Sequence, residues 1–157
     1  MKRLLVAYDS SDQANAALDV AIALARSERA SIVAVYALDI NAELGRVAAA
    51  FHYTPASAAR MLREDASAIL EAAAQRAQRA GIQIATKFVD APVVRGLVEY
   101  ARRTGAQTIV VGSHGRSGLP RLILGSVAEG LMRHATVPVL VVRAPAPPGR
   151  GKRKTTH

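Results

Sequence analysis

Short apolar runs alternate with long Ala-rich stretches almost to the end of the chain, and that alternation leaves few architectures open. Residues 4–8, 32–38, 82–89, 108–111 and 137–142 are apolar or β-branched runs of strand length. After the first of them, Ala14, Ala17, Leu18, Ala21, Ile22, Leu24 and Ala25 recur at helical spacing. Ser10 or Ser11 is placed to cap that helix, which should reach about Arg29. Thr54-Pro55 puts a capping hydroxyl before a proline, and the Ala-rich stretch behind it runs to Ala80 and stops at Gly81. Asp90, with Pro92 in the first turn, is placed to cap a helix ending at Gly105, and a last helix runs from Val127 to about His134. Such a chain packs as an α/β fold, an open and mostly parallel sheet of five strands with right-handed crossovers and helices on both faces. Residues 39–53 fit the pattern least. A short helix over 42–51 is compatible with their composition, and Arg46, His52 and Tyr53 could belong to a lid, but the segment reads better as a solvated connection.

The 157 residues suit one domain with a sizeable core. Half of them are apolar yet only 4% are aromatic, so Ala, Val, Leu and Ile must build that core. Cysteine is absent, which excludes disulfides, thiolate metal sites and cysteine nucleophiles. The apolar run behind Met1-Lys2-Arg3 is too short for a secretion signal, and no run approaches the 18 or so residues of a membrane span. A cytoplasmic location is expected. The formal net charge is +9, and four of the basic residues, Arg150, Lys152, Arg153 and Lys154, crowd the last eight positions. Residues 144–157, rich in Pro, Gly and basic side chains, are expected to be a disordered tail, either a solubilising end or a contact for a phosphate-rich partner.

Chemistry concentrates behind the fourth strand. Gly112, Gly115, Gly125 and Ser126 form Gly-x2-Gly-x9-Gly-Ser between a buried strand and the start of a helix. Glycines admit an anion close to backbone N–H groups, and a helix N-terminus adds unpaired donors and the positive end of a dipole. A phosphate is the ligand this suits. Arg116 and Arg121 could offset some of its charge, and His114 lies within the loop. The chain has no Gly-x4-Gly-Lys-Ser/Thr, so it lacks the lysine of a phosphoryl-transfer loop. His52, His114, His134 and His157 show no metal-ligand spacing.

From Val111 through Gly112-Ser113-His114-Gly115-Arg116-Ser117-Gly118, Gly125-Ser126-Val127 and Val137-Pro138-Val139, residues 111–143 resemble the nucleotide-binding signature of the universal stress protein family. The start, Leu4-Leu5-Val6-Ala7-Tyr8-Asp9, is similar to that family's first strand and turn. The resemblance implies a Rossmann-like sheet of order 3-2-1-4-5 spanning residues 1–143, with a ligand between the ends of strands one and four. It implies ATP, or ADP or AMP, as that ligand. Ala7 and Ala37 would border the adenine, with the Ala37 backbone reading its edge, and Val111 would lie beside the sugar. Gly112, Gly115, Gly125 and Ser126 would hold phosphates, with Val127 opening the helix behind them. Asp9 would meet the ribose or a phosphate-bound Mg²⁺, beside its simpler role of capping the first helix with Ser10. Two positions depart from the family pattern: Asp90-Ala91-Pro92 stands where Gly-x-Pro is common, and Tyr36 where His is common. The function implied is that of a regulatory stress-response protein acting as a homodimer through residues 137–142. The alternatives are a slow Mg²⁺-dependent ATP hydrolase or nucleotidyl-transfer enzyme, and an interaction module using the basic tail.

Overall fold

The computed structural model describes residues 2–115 and 124–145. Five strands form one sheet in the order β3-β2-β1-β4-β5, and every neighbouring pair is parallel. In chain order these are β1 (Arg3–Ala7), β2 (Ser31–Leu38), β3 (Ala85–Asp90), β4 (Thr108–Gly112) and β5 (Val139–Val142). The helices are α1 (Asp12–Glu28), α2 (Ile40–Phe51), α3 (Pro55–Arg79), α4 (Val93–Thr104) and α5 (Ser126–His134).

Alternation within the strands makes two cores. Successive side chains of a strand point to opposite faces. Leu4 and Val6 therefore join Leu18 and Ile22 of α1 and Ile69 of α3 on one side. Leu5 and Ala7 join Leu97 of α4 and Leu131 of α5 on the other. β1 and β4 lie at the centre, where Leu5, Val6, Ile109 and Val110 are wholly buried. Helix ends are set locally: Ser11 Oγ accepts from the N–H of Ala14 at 3.1 Å, and Thr54 Oγ1 from that of Ser57 at 3.2 Å. The chelated pair of Arg76 with Asp19, at 2.7 and 2.6 Å, ties α3 to α1 at the surface.

Several boundaries differ from the sequence expectation, each for a visible reason. Asp90 does not cap α4. It is the last residue of β3, paired with Leu38, and Pro92 is the helix's N-cap. Its Oδ1 instead accepts from the N–H of Ile40 at 3.0 Å, which anchors the start of α2. β3 begins at Ala85 rather than at residue 82, because the Ile82 N–H turns back to the Ala77 carbonyl and closes α3, while Ile82 and Ile84 pack on the core from the connection. β5 begins at Val139, after Pro138, and β1 spans Arg3–Ala7. Residues 39–53 are no solvated connection: Asp39 Oδ1 caps α2 through the Ala42 N–H at 3.1 Å, and Ile40 is buried. The expected tail lies outside the described residues, apart from Ala144 and Pro145.

Gly112 fixes how closely α1 can lie on the end of β4. A Cβ added there would sit 2.7 Å from Gln13 Cβ and 2.8 Å from its carbonyl carbon. Gly112→Ala should therefore cost about 1–3 kcal/mol by overpacking. Gly45→Ala, in the open interior of α2 with nothing within 4 Å, should instead gain about 0.5–1 kcal/mol. Urea unfolding of the two variants checks the contrast.

Candidate functional site

β1 leads into α1 on one face of the sheet, and the segment after β4 leads to α5 on the other. The two chains diverge there and leave a crevice beyond the carboxyl ends of adjacent strands, the usual ligand position in open parallel sheets. A cavity of about 520 Å³ occupies it. Ala7, Asp9, Ala37 and Val111 line it from the strand ends, and Gly112, Gly115, Gly125, Ser126 and Val127 line it from the loop and helix behind β4. Nine of the sequence-predicted residues thus share one cavity. Arg116 and Arg121 lie outside the described residues. A larger groove of about 860 Å³ between α4 and α5 reaches only Ser126 and Val127 of this set.

The cavity has an apolar and a polar end. At the first, Val35 and Ala37 of β2 and Leu97 of α4 supply an apolar wall. The backbone there is directional. The Val35 carbonyl accepts from the Tyr8 N–H at 2.9 Å, the last bond between the first two strands, and the Leu38 carbonyl accepts from Ala91 on the β3 side at 3.1 Å. Because N–H and C=O alternate sides along a strand, those of Ala37 point past the end of β1 into the crevice. One donor and one acceptor, side by side, meet whatever lies there. Tyr36 also borders the cavity, its ring 6.1 Å from that of Phe88.

At the polar end, Asp9 Oδ1 accepts from the Ser11 N–H at 3.0 Å and holds the turn between β1 and α1, where Ser10 adopts a left-handed φ of 65°. The helix cap is Ser11, one of the two serines expected there, whereas Asp9 holds the preceding turn and does not cap the helix with Ser10. The other carboxylate oxygen faces the glycine loop, for a Cβ on Gly115 would come within 2.9 Å of Asp9 Oδ2. The Gly125 N–H is already bonded to the Ser113 carbonyl at 2.8 Å, and a Cβ on Gly125 would lie 3.1 Å from His114 Cα. Gly125 therefore serves by stacking two backbones, not by offering its N–H to a ligand. Donors remain one residue on. Among the described residues α5 has no side-chain cap, and its first backbone bond runs from Glu129 to Gly125, so the N–H groups of Ser126, Val127 and Ala128 lack intrahelical acceptors.

Three residues escaped the sequence reading. Gln13 Oε1 accepts from the Ala144 N–H at 2.7 Å and from Ser113 Oγ at 3.1 Å. With its proton given to Gln13, Ser113 Oγ must accept from His114 Nδ1 at 2.7 Å. The backbone N–H of Ala144 thereby sets the direction of the chain and places a proton on His114 Nδ1. Nε2 of His114 is left buried with no hydrogen-bond partner among the described residues. The second missed residue is Ser113, fully buried between the glycines. Glu43, on α2, is the third and lines the apolar end. Burial raises the pKa of Tyr8, with Asp9 and Asp19 adding to the shift and Arg76 opposing it, so its phenol stays a neutral donor to Asn15 Oδ1 at 2.7 Å. Among the described residues no three His, Asp or Glu gather as a metal site. No helix among them is long and apolar enough to cross a membrane.

A doubly wound parallel sheet with a glycine-lined cleft at its switch point is the class this geometry defines. The universal stress protein family model matches residues 1–143, and the chain belongs to that family. It is 31% identical over 144 residues to a universal stress protein of Methanocaldococcus jannaschii, covering 92% of this chain and 83% of the relative. It is also 31% identical over 146 residues to one from Bacillus subtilis, covering 90% and 98%. A solved universal stress protein in complex with cAMP superposes with a TM-score of 0.66 at 28% identity, covering 92% of this chain and 98% of that one.

Gln13→Ala should leave the Ala144 N–H and the Ser113 hydroxyl without their shared acceptor, at a cost of about 1–3 kcal/mol. Urea unfolding checks this, and a loss below about 0.5 kcal/mol would show that water replaces the amide without penalty.

Proposed function

We propose that this protein binds an adenine nucleotide in the crevice between β1 and β4, with ATP foremost and ADP or AMP as its relatives. The observation that carries the reading is the mixed lining of one cavity, with apolar side chains and the Ala37 backbone on one side and helix N–H groups without intrahelical acceptors on the other. The base suits the first end and an anion the second. The cAMP complex of a relative supports the same class of ligand. Asp9 lies where it can meet a ribose hydroxyl or, with phosphate oxygens, hold Mg²⁺. In this reading residues 1–143 are the nucleotide module, residues 144–157 a basic extension, and the output is regulatory. The absence of a phosphoryl-transfer lysine motif favours binding over rapid turnover.

Calorimetry on the folded protein should detect ATP binding, and saturation at 100 times the dissociation constant should stabilise the fold by about 2.7 kcal/mol. Gly115→Val places a branched side chain against Asp9 and the anion end, and should weaken binding more than about 100-fold while the protein stays folded. No heat with any adenine nucleotide would end this reading. Multiple turnover at about 1 per second or faster, lost in Asp9→Asn, would make the protein an enzyme instead.

The same reading includes a homodimer. β5 is a sheet edge, paired only with β4 among the described strands, and such an edge invites a second strand. Val139 and Val141 pack inward on the core beside Leu131, whereas Leu140 is exposed. Leu140→Lys should therefore shift the protein to monomers without unfolding it, as Val141→Lys would not. Light scattering that finds the wild type monomeric at tens of micromolar would refute the dimer.

A further inference from the structure

Resting on the reading of the cleft as an adenine-nucleotide site, we infer that Glu43 selects a 6-amino purine over a 6-oxo purine. Glu43 stands in the first turns of α2 and lines the cavity together with Tyr36, Ala37 and Leu38, at the end opposite Asp9 and the glycines. Its position is not casual. The start of α2 is held from two sides, by the Asp39 cap on Ala42 at 3.1 Å and by Asp90 Oδ1 on the Ile40 N–H at 3.0 Å. Asp90 is in turn paired with Arg63 of α3 at 3.4 Å.

The carboxylate is itself half committed. Nε of Arg46 donates to Glu43 Oε2 at 3.0 Å, and the second Arg46 bond falls on the same oxygen. Oε1 takes no hydrogen bond among the described residues. The Glu43 side chain is 26% exposed, whereas that of Arg46 is 78% exposed, so the arginine braces the carboxylate from the solvent side. A carboxylate can only accept. The Ala37 carbonyl and N–H suit the 6-amino group and N1 of adenine, which leaves the second amino hydrogen for Glu43 Oε1. A 6-oxo purine would place a carbonyl oxygen against both acceptors and an N1–H against the Ala37 N–H. Glu43 thus works partly by rejection, the more effective half of discrimination where a polar group would be left unpaired.

The test measures ATP and ITP affinities by calorimetry for the wild type, Glu43→Gln and Glu43→Ala, with circular dichroism to confirm folding. The wild type should prefer ATP. In Glu43→Gln the amide can donate to a 6-oxo group, so the ATP-to-ITP ratio should fall about tenfold, keeping the part owed to Ala37. Glu43→Ala should reduce the ratio as well, by weakening ATP and removing one of the two acceptors that oppose the 6-oxo group of ITP. An unchanged ratio in both variants, or an equal change in both nucleotides, overturns the assignment to Glu43 and leaves the nucleotide site standing. Failure of the wild type to bind either nucleotide removes the site and Glu43's role together.

Discussion

Everything at the candidate site depends on one close approach, the backbone of Gln13 against Gly112. Only a glycine at the end of β4 lets the first turn of α1 settle there, and that contact sets the distance between the two chains that part at the switch point. With α1 seated, Gln13 reaches both Ser113 and Ala144 and joins the glycine loop to the segment after β5. With the loop seated, Gly125 can stack on residues 113 and 114 and aim the uncapped start of α5 at the cavity. The glycines of the motif thus divide their labour. Gly112 and Gly125 let backbones pack on one another, and Gly115 admits the close approach of the Asp9 carboxylate.

Most of the architecture was legible because it is written in local pattern. Strand runs apolar on both faces, Ala-rich helical periodicity and the Thr54-Pro55 start are signals that tertiary context does not reverse. The sheet order was not among them and rested on the family resemblance. Asp90 shows how a local signal fails: Asp-x-Pro looks like a helix start, but pairing with β2 carries the strand one residue further and frees the carboxylate to bind the Ile40 N–H, fifty positions away. Ile82 and Ile84 alternate like a strand, yet they finish the packing of α3. Residues 39–53 misled because Ile40 is the one buried residue among them, and two carboxylates with that single isoleucine are enough to dock a short helix.

Of the cavity's lining, the glycines and Asp9 were legible, since they stand at and just beyond strand ends that the apolar runs mark in the sequence. Gln13 and Ser113 were not, because their role is a contact across 100 positions with no sequence period to announce it. Glu43 was hidden for a related reason. On the sequence it is one more charged residue of an exposed segment, and only the docking of α2 brings it to the cavity wall.

The central claim is that one cleft orders a nucleotide, base toward β2 and phosphates toward α5. Amide chemical-shift mapping of the isotopically labelled protein during titration with ATP tests it most directly. The largest shifts should fall at Ala37, Gly115, Ser126 and Val127, with AMP reproducing the shift at Ala37 and giving smaller ones at the start of α5. Shifts confined to the groove between α4 and α5, or to α3, would contradict it.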